Sequence, residues 1–316
     1  MADRRLQVFS AVAKLGSFTR AAQHLYMTQP AVTFQVKQLE EHFNTRLLER
    51  GHNGVTLTEA GEVVREYAER ILDLSHELEA RMAELSATPG GVLTLAVSTT
   101  IAACWLPRLL EGFCTRYAQV TPQVVVGSST RMCKQVTERE ADFGMIEIRP
   151  EHPALDCMEA ASDELYAVLP QAHPLAGETA LTAQQLRALP WIAQDAGNAI
   201  RTLAEAFFAQ AGVESAALNM RAQLGSLETV LHLAACGQGF AIAPGAALAR
   251  LGAGSKLAWV PLAPKLHTPL YLILPKDKYR TRQVAAFVEY VRETAPAIGQ
   301  EYQRLLHSGA MAQGVL

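Results

Sequence analysis

Apolar residues in the first 60 positions recur at helical spacing. The face of a first helix is formed by Leu6, Val8, Phe9, Val12 and Leu15. Residues 17–42 are then predicted to form two helices joined by a tight turn, and the second is opened by Thr28 as a cap, followed by Gln29 and Pro30. The apolar face of this second helix comprises Val32, Val36, Leu39 and Phe43. This pattern is typical of a helix-turn-helix.

The polar face of the second helix carries side chains suited to DNA. Near its N-terminal end, the residues predicted to face outward are Gln29, Thr33, Phe34 and Lys37. Glutamine can pair with adenine in the major groove, threonine can bond a base edge or a phosphate, and an apolar group can contact a thymine methyl. An ordinary amphipathic helix shows the same periodicity, so the neighbouring segments must decide between the two interpretations.

A predicted wing follows the second helix. Residues 47–50 and 55–57 are short apolar runs around Asn53-Gly54, a pair that favours a type I′ hairpin. Residues 1–57 are therefore expected to form a winged helix-turn-helix. Through residue 60 the chain has seven Lys or Arg against five Asp or Glu, a charge of +2, whereas the whole chain carries −3. We expect binding through a few placed phosphate contacts, with Arg50 in the wing as the foremost candidate.

Three stretches carry a resemblance to a known family. Thr-Gln-Pro-Ala-Val-Thr-Phe-Gln-Val-Lys-Gln-Leu-Glu at 28–40, Leu-Leu-Glu-Arg at 47–50 and Leu-Thr-Glu-Ala-Gly at 57–61 resemble the N-terminal signature of LysR-type transcriptional regulators. The resemblance implies that Gln29, Pro30 and Thr33 contact bases or adjacent phosphates and that Arg50 contacts the backbone. Phe34 and the Asn53-Gly54 tip depart from the commonest pattern, which is more basic at both places. We therefore expect a shallow dependence of DNA affinity on salt.

Residues 58–88 are predicted to form one long helix. Thr58 is the expected N-cap, and Gly61 at the third position excludes a capping box. The apolar positions alternate in steps of three and four residues, as in a coiled-coil seam: Val64, Tyr67, Ile71, Leu74, Leu78, Met82 and Leu85. The alternative is a helix packed on its own domain. By the resemblance, this is a linker helix that pairs two subunits and places two recognition helices on one DNA site.

Beyond a predicted hinge at 89–91, apolar strand-like runs alternate with helical patterns, which indicates an α/β domain. Strands are expected at 92–97, 123–126, 143–148, 165–169, 240–243 and 270–274, and helices at 101–117, 132–141, 199–211, 227–236 and 284–292. The family resemblance implies a two-lobed, periplasmic-binding-protein-like effector domain. Lobe I would comprise residues 92–162 and 268–300, lobe II residues 163–267, and residues 301–316 would be a C-terminal tail.

Polar residues cluster where the predicted strands end and the helices begin. Free backbone N–H groups, hydroxyl donors and the positive end of the helix dipole suit a small anion, and ligands bind α/β sheets at this edge. The candidate effector-binding residues are Ser98, Thr99, Thr100, Ser128, Ser129, Thr130, Glu147, Asn198, Arg201 and Ser226. Taken singly, each hydroxyl or amide is also explained as a helix cap. Glu147 is either a counter-charge to Arg201 or a wall that selects hydrogen-bond donors.

Other chemistry is sparse in the sequence. The five cysteines show no CxxC and no zinc spacing, so we expect reduced thiols in the cytoplasm, with Cys104 and Cys236 as candidates for a redox switch. Phosphate loops, nucleophile elbows and membrane-spanning apolar runs are not found. We expect no cofactor, no metal site and no enzymatic activity.

The sequence thus predicts a ligand-responsive transcription regulator. Expected partners are promoter DNA, a small effector, a second and further copies of the chain as a homodimer or homotetramer, and RNA polymerase. The alternatives are a thiol-based redox-sensing regulator and a small-molecule binding protein without a regulatory role. The stretches 98–101 and 142–147 resemble family members tied to sulfur assimilation or carbon fixation. This implies an inorganic sulfur anion or a phosphorylated metabolite as effector.

Overall fold

The computed structural model describes residues 4–51, 54–84, 90–251, 255–276 and 280–312. It divides into two compact units, Met1–Ala87 and Thr88–Leu316.

The first unit begins with three helices and a hairpin. They are α1 (Arg4–Leu15), α2 (Phe18–His24), α3 (Gln29–Phe43), β1 (Leu48–Gly51) and β2 (Gly54–Leu57). The predicted apolar faces meet in one core, in which Phe9, Val32 and Leu39 are buried. The predicted helix-turn-helix is therefore confirmed. Phe43 is exposed instead of buried, because α3 ends there and Asn44 follows in the left-handed conformation. Thr28 occupies the N-cap position, but its side chain makes no capping hydrogen bond.

The two strands of the wing are present. Gly54 is the first residue of β2 and pairs with Gly51, so it does not lie in the turn as predicted, and residues 52 and 53 lie outside the described residues. Glu40 holds the wing against α3, since its Oε1 accepts hydrogen bonds from the backbone N–H groups of Leu47 and Leu48 at 2.8 and 3.2 Å.

The long helix α4 (Glu59–Glu84) completes the first unit. Thr58 caps it as predicted, because its Oγ1 accepts from the backbone N–H of Gly61 at 2.9 Å. A Cβ at position 61 would overlap the carbonyl oxygen of Leu47, so only glycine fits where the helix starts against the wing. Four predicted seam residues are exposed on this chain: Tyr67, Ile71, Leu74 and Leu78. The side chain of Met82 and the whole of Leu85 lie outside the described residues.

The second unit starts with the sheet of lobe I. Its elements are β3 (Gly91–Ser98), α5 (Thr99–Cys104), α6 (Leu106–Arg116), β4 (Val120–Gly127), α7 (Ser129–Thr137) and β5 (Phe143–Ile146). Strand β3 lies between β4 and β5 and is parallel to both. The single helix expected at 101–117 is two helices that meet at Trp105. Pro107 at the start of α6 explains the break, because proline has no N–H to continue the ladder of α5.

Lobe II is inserted between two long strands. In chain order the elements are β6 (Leu155–Pro170), β7 (Leu181–Thr182), α8 (Ala183–Arg187), β8 (Trp191–Gln194), α9 (Ala199–Gln210), β9 (Met220–Leu224), α10 (Leu227–Ala235), β10 (Ala241–Pro244), α11 (Gly245–Leu248) and β11 (Leu257–Pro275). Its core contains four buried aromatic side chains, Trp191, Phe207, Phe208 and Phe240.

Strands β6 and β11 run through both lobes as one antiparallel pair. They contain 16 and 19 residues, far longer than the strands expected at 165–169 and 270–274. Their pairing extends from Leu257 opposite Pro170 to Pro275 opposite Leu155, with irregularities between Pro261 and Leu266 and between Leu270 and Tyr271. Because segment 159–164 is mostly polar, the pattern of apolar residues predicts only the second half of β6 as a strand. The expected lobe boundaries at 162–163 and 267–268 fall within these strands.

The chain continues into a 31-residue helix, α12 (Arg282–Ala312). This helix is much longer than the one expected at 284–292, and it includes most of the segment that was expected to be a tail. Pro296 stands inside it without ending it. Val291 packs in the core of lobe I, whereas Leu306 packs with Tyr166 and Leu248 of lobe II.

Candidate functional site

The N-terminal end of α3 presents the predicted polar face. Gln29, Pro30 and Lys37 are exposed, Thr33 is half-buried, and the Phe34 ring is 58% exposed. Gln29 donates from Nε2 to the hydroxyl of Thr33 at 3.0 Å, which orients two of the candidates along the same side of the helix. This surface is polar with one exposed aromatic ring, as a face that enters a groove requires.

Two further residues affect this surface. The Lys37 ammonium lies 3.5 Å from the Glu41 carboxylate in an exposed pair that contributes little stability. Tyr26, which the sequence analysis did not single out, lies in the turn before α3 with φ 53° and is 98% exposed. A tyrosine in the turn of a helix-turn-helix is a signal that could have identified it. The side chain of Arg50, the predicted phosphate contact of the wing, lies outside the described residues.

In the second unit, the carboxyl ends of three parallel strands meet at one edge of lobe I. Ser98 is the last residue of β3 and caps α5, accepting from the Ile101 N–H at 3.3 Å. Ser128 follows β4 and caps α7, accepting from the Arg131 N–H at 3.4 Å. Glu147 follows β5 directly. These candidates therefore lie at the ends of neighbouring strands, as the sequence predicts.

Glu147 is the centre of this edge and is only 3% exposed. Its carboxylate accepts hydrogen bonds from the Ser98 hydroxyl at 2.7 Å and from the Ser129 hydroxyl at 3.0 Å. Burial raises the pKa of this carboxyl, and the two serine hydrogen bonds act in the opposite direction. The side chain of Glu147 thus occupies the position between two helix ends that was predicted to receive an anion.

Thr100 in α5 of lobe I and Gln194 at the end of β8 in lobe II are buried and have polar atoms that lack partners among the described residues. Within the described part of the chain, the Thr100 hydroxyl and the Gln194 Oε1 make no hydrogen bond, although both residues are at most 4% exposed. A buried polar atom without a partner is costly, so such atoms indicate a place for a ligand or water. Gln194 was not predicted. Its position as the polar end of the apolar strand β8 is the signal that could have found it.

Lobe II contributes Asn198 and Arg201 from the start of α9. Asn198 caps this helix through Oδ1, which accepts from the Ile200 N–H at 2.9 Å. Arg201 is paired with Glu205 at 2.8 Å and donates from Nη1 to the carbonyl of Gln194 at 3.2 Å. Arg201 also reaches Gln223, which accepts from Nη1 at 2.8 Å. In this structure the guanidinium of Arg201 therefore pairs with Glu205, and both interpretations of Glu147 stay predictions.

The two lobes meet at Thr99 and Asn198. The Asn198 amide donates from Nδ2 to the Thr99 hydroxyl at 3.4 Å, which joins the starts of α5 and α9. The remaining candidates are less connected. Ser226 occupies the N-cap of α10 without a side-chain hydrogen bond, and Thr130 is exposed. Among the described residues, no hydrogen bond or ion pair links either one to the other candidates.

Among the described residues, the cysteines and the acidic side chains form no second candidate site. Cys104 is buried, and burial raises the pKa of its thiol to about 12, which disfavours the reactive thiolate. Cys236 is exposed. Over the described ranges, no three His, Cys, Asp or Glu side chains lie together as a possible metal site. In the same part of the chain, none of the helices combines the length and the apolarity needed to cross a membrane.

Comparison with family models divides the chain as the structure does. Residues 4–62 match the bacterial regulatory helix-turn-helix protein, lysR family, and residues 86–296 match the LysR substrate binding domain.

Curated relatives cover most of the chain. A probable RuBisCO transcriptional regulator of Cyanophora paradoxa is 33% identical over 78% of this chain and 77% of its own length. The protein of the same name from Synechocystis sp. is 31% identical over 91% of this chain and 84% of its own.

Solved structures agree with the fold. Full-length CbnR in complex with its target DNA has a TM-score of 0.59 and 25% identity, covering 93% of this chain and 99% of that one. A full-length OxyR variant from Pseudomonas aeruginosa has a TM-score of 0.68 at 19% identity, covering 91% and 96%. With both family models matched in chain order and relatives similar over most of the length, this chain belongs to the LysR family of DNA-binding transcription regulators, with an N-terminal helix-turn-helix and an effector-binding domain.

Proposed function

We propose that this regulator senses a small anionic metabolite between its two lobes and responds by changing promoter DNA bending or contact with RNA polymerase. The observation that carries the proposal is the hydrogen bond from Asn198 to Thr99, which joins the starts of α5 in lobe I and α9 in lobe II, both of which carry predicted effector-binding residues. A ligand held at this point contacts both lobes, so its binding energy differs between their open and closed arrangements.

The DNA contacts are assigned to α3, its preceding turn and the wing. Gln29, Thr33 and Phe34 face bases in the major groove, and Thr28, Pro30 and Lys37 contact bases or adjacent phosphates. Tyr26 adds a hydroxyl that can bond a phosphate, and Arg50 contacts the DNA backbone from the wing. The exposure of the face from Gln29 to Lys37 supports this assignment.

The active species is proposed to be a homodimer or a dimer of dimers in the cytoplasm. The exposed stripe of Tyr67, Ile71, Leu74 and Leu78 on α4 supports it, because an apolar seam at coiled-coil spacing is stable in water only when a partner covers it. Two copies would place two recognition helices on successive half-sites.

The anionic end of the effector is assigned to lobe II. Asn198 and Ser226 occupy the N-cap positions of α9 and α10, and the N–H groups of the first turns of these helices favour negative charge. Arg201 retains an Nη2 that makes no hydrogen bond within the described residues. Since the relatives are named RuBisCO regulators, we assign the promoter to carbon-fixation genes and prefer a phosphorylated metabolite over a sulfur anion.

The experiment is a footprint of the full-length protein on its own promoter region, with and without candidate anions. The candidates are sulfate, sulfite, thiosulfate, phosphate, phosphoenolpyruvate and ribulose bisphosphate. A true effector at about 100 times its dissociation constant stabilises the protein by roughly 2.7 kcal/mol, a shift of several degrees in Tm, and alters the footprint. Arg201→Ala should lose this response while still binding DNA. An identical footprint at saturating effector would contradict the mechanism.

A further inference from the structure

The outer edge of β6 is open beside α12. Strand β10 pairs with β6 only over residues 165–168, so among the described residues Ser162 has no neighbouring strand on that side. On its other side, Ser162 lies opposite Pro269 of β11. Directly opposite residues of an antiparallel pair exchange either two hydrogen bonds or none, and proline has no N–H to donate. The backbone N–H and C=O of Ser162 therefore point away from β11, toward the open edge.

Two further observations agree with this direction. Leu165 lies opposite Pro244 of β10, so its backbone groups point toward β11, and those of Ser162, an odd number of residues earlier, point the other way. The carbonyl oxygen of Ser162 lies 3.8 Å from the position that a Cβ on Gly299 of α12 would occupy. Because Gly299 has no side chain, α12 approaches this edge of β6 without covering it.

A cavity of about 510 Å³ lies between this edge and α12. Its apolar wall is formed by Ala161, Pro296 and Gly299, and its polar groups belong to Ser162, Gln300, Gln303 and Arg304. Small-molecule sites have volumes of roughly 300–1,000 Å³ and combine apolar walls with a few placed polar groups. The size and the lining of this cavity therefore suit a small organic ligand.

Arg304 gives the cavity a positive charge. Its side chain is exposed and makes no ion pair or hydrogen bond with another described residue. The carboxylates close to it in sequence or along β6 already have partners. Glu301 pairs with Arg108 at 2.9 Å, and Glu164 pairs with Lys265 at 3.1 Å. The guanidinium of Arg304 is thus available to a ligand, and its planar set of donors matches a carboxylate.

We propose that this cavity is a second ligand site, separate from the cleft between the lobes, for a small carboxylate that carries a secondary amide, as in an N-acylated amino acid. The amide N–H donates to the Ser162 carbonyl, and the carboxylate accepts from the Ser162 N–H and pairs with Arg304. In this arrangement the ligand extends the sheet as an added strand would. The acyl oxygen accepts from Gln303, whose Oε1 accepts from the Tyr166 hydroxyl at 3.3 Å and whose Nε2 bonds to none of the described residues.

Three probes of similar size test the inference by ligand-detected NMR titration of the full-length protein. N-acetylglycine carries both the amide and the carboxylate. Levulinate replaces the N–H by a methylene group and should bind about three-fold or more weakly, because the Ser162 carbonyl loses its donor. N-acetylglycinamide replaces the carboxylate by a neutral amide and should bind about ten-fold more weakly. No binding of N-acetylglycine, or equal binding of all three probes, overturns the proposal.

Two variants of α12 locate the site. Arg304→Gln should weaken N-acetylglycine about ten-fold and leave N-acetylglycinamide unchanged, because only the carboxylate pairs with the guanidinium. Arg292→Gln removes the same charge from another exposed position of α12 outside the cavity and is the matched control. Gln300→Trp fills the cavity from an exposed position and should abolish binding of all three probes with normal thermal unfolding. Wild-type affinity for N-acetylglycine in Arg304→Gln or Gln300→Trp overturns the inference.

The site beside α12 is distinguishable from the proposed effector site between the lobes. Arg201→Ala should bind N-acetylglycine as tightly as the wild type, since Arg201 does not line the cavity. Loss of N-acetylglycine binding in Arg201→Ala would place the probe at lobe II and overturn the present inference, while the proposed function would stand. The footprint with candidate anions tests the proposed function and is independent of either result.

Discussion

The hydroxyl of Tyr302 donates to the carbonyl oxygen of Cys104 at 2.8 Å, which ties the C-terminal helix to the end of α5. The Tyr302 ring also packs edge-on against Trp105, with centroids 5.5 Å apart. One turn further on, Leu306 is buried among lobe II residues, and the amide oxygen of Gln303 accepts from the Tyr166 hydroxyl at 3.3 Å. Helix α12 therefore contacts both lobes within the five residues from Tyr302 to Leu306.

Leu306→Ala should destabilise the effector domain by roughly 2–5 kcal/mol, because it removes a fully buried leucine and leaves a cavity at the junction of α12 and lobe II. The adjacent Leu305 is 45% exposed and provides the control. Leu305→Ala should change stability by less than about 0.5 kcal/mol. Urea unfolding of the full-length protein measures both, and equal effects would show that α12 is not docked on lobe II.

Gly61→Ala should destabilise the DNA-binding unit although it adds a single methyl group. The new Cβ overlaps the carbonyl oxygen of Leu47, which is backbone and cannot move without shifting the entry to the wing. Overpacking of this kind costs roughly 1–3 kcal/mol. Gly177→Ala is the control, since nothing lies within 4 Å of its Cβ position. Thermal unfolding and a promoter-shift assay report the effect, and a fully active Gly61→Ala protein would contradict the geometry.

Asp163 should make the stability of the effector domain fall as pH rises from about 4 to about 7. Burial raises its pKa from 3.8 to about 7, while hydrogen bonds from backbone N–H groups, including that of Ala246 at 2.9 Å, lower it. The folded chain thus keeps a proton that the unfolded chain releases in this window. The stabilising contribution is complete below about pH 4 and is lost as pH passes the folded-state pKa, up to roughly 4 kcal/mol in total.

Asp163→Asn removes this titration. The difference between the unfolding free energies at pH 5 and pH 8 should be smaller in Asp163→Asn than in the wild type. Asp156→Asn, which neutralises an exposed carboxyl on the same strand, should leave the difference unchanged. Parallel pH profiles for the wild type and Asp163→Asn would show that Asp163 ionises normally.

Leu74→Glu should dissociate the proposed dimer. Leu74 is 64% exposed on one chain, and a carboxylate in the centre of an apolar seam would be buried without a partner on association. Glu66→Lys changes charge on the outer face of the same helix and should keep the assembly intact. Sedimentation velocity gives the masses, and an unaltered mass for Leu74→Glu would exclude the α4 seam as the dimer contact.

The sequence was most informative where local pattern alone sets the structure. The three helices of the DNA-binding unit follow from apolar spacing and caps, and Ser98 and Ser128 follow from the rule that polar residues cap the helices after parallel strands. It was least informative at the lobe junction. The partner of Arg201 is Glu205, one turn along α9, and a sequence that also offers Glu147 does not distinguish the two.

Long-range packing explains the other differences. Residues 301–312 lack a strong apolar run, and they are helical because Tyr302 and Leu306 find buried positions on two lobes that are distant in sequence. The first half of β6 likewise contains mostly polar or partly exposed residues. It is stabilised by pairing with β11, which lies more than 100 residues further along the chain. Neither the packing of α12 on both lobes nor the pairing of β6 with β11 can be predicted from a short stretch of sequence.

Lys37→Ala and Gln29→Ala should separate phosphate contact from base contact. If Lys37 contacts a phosphate, its removal weakens binding to all sequences and reduces the slope of log K against log salt by about 0.9. Gln29→Ala should leave the slope unchanged and cost roughly 1–3 kcal/mol only on the specific site, which relaxes sequence preference. Filter binding on specific and random duplexes at several salt concentrations measures both terms.

The wild-type slope of log K against log salt should itself be shallow, since the first 60 residues carry a charge of only +2. A slope near −10, or an unchanged slope in Lys37→Ala, would contradict this assignment of contacts.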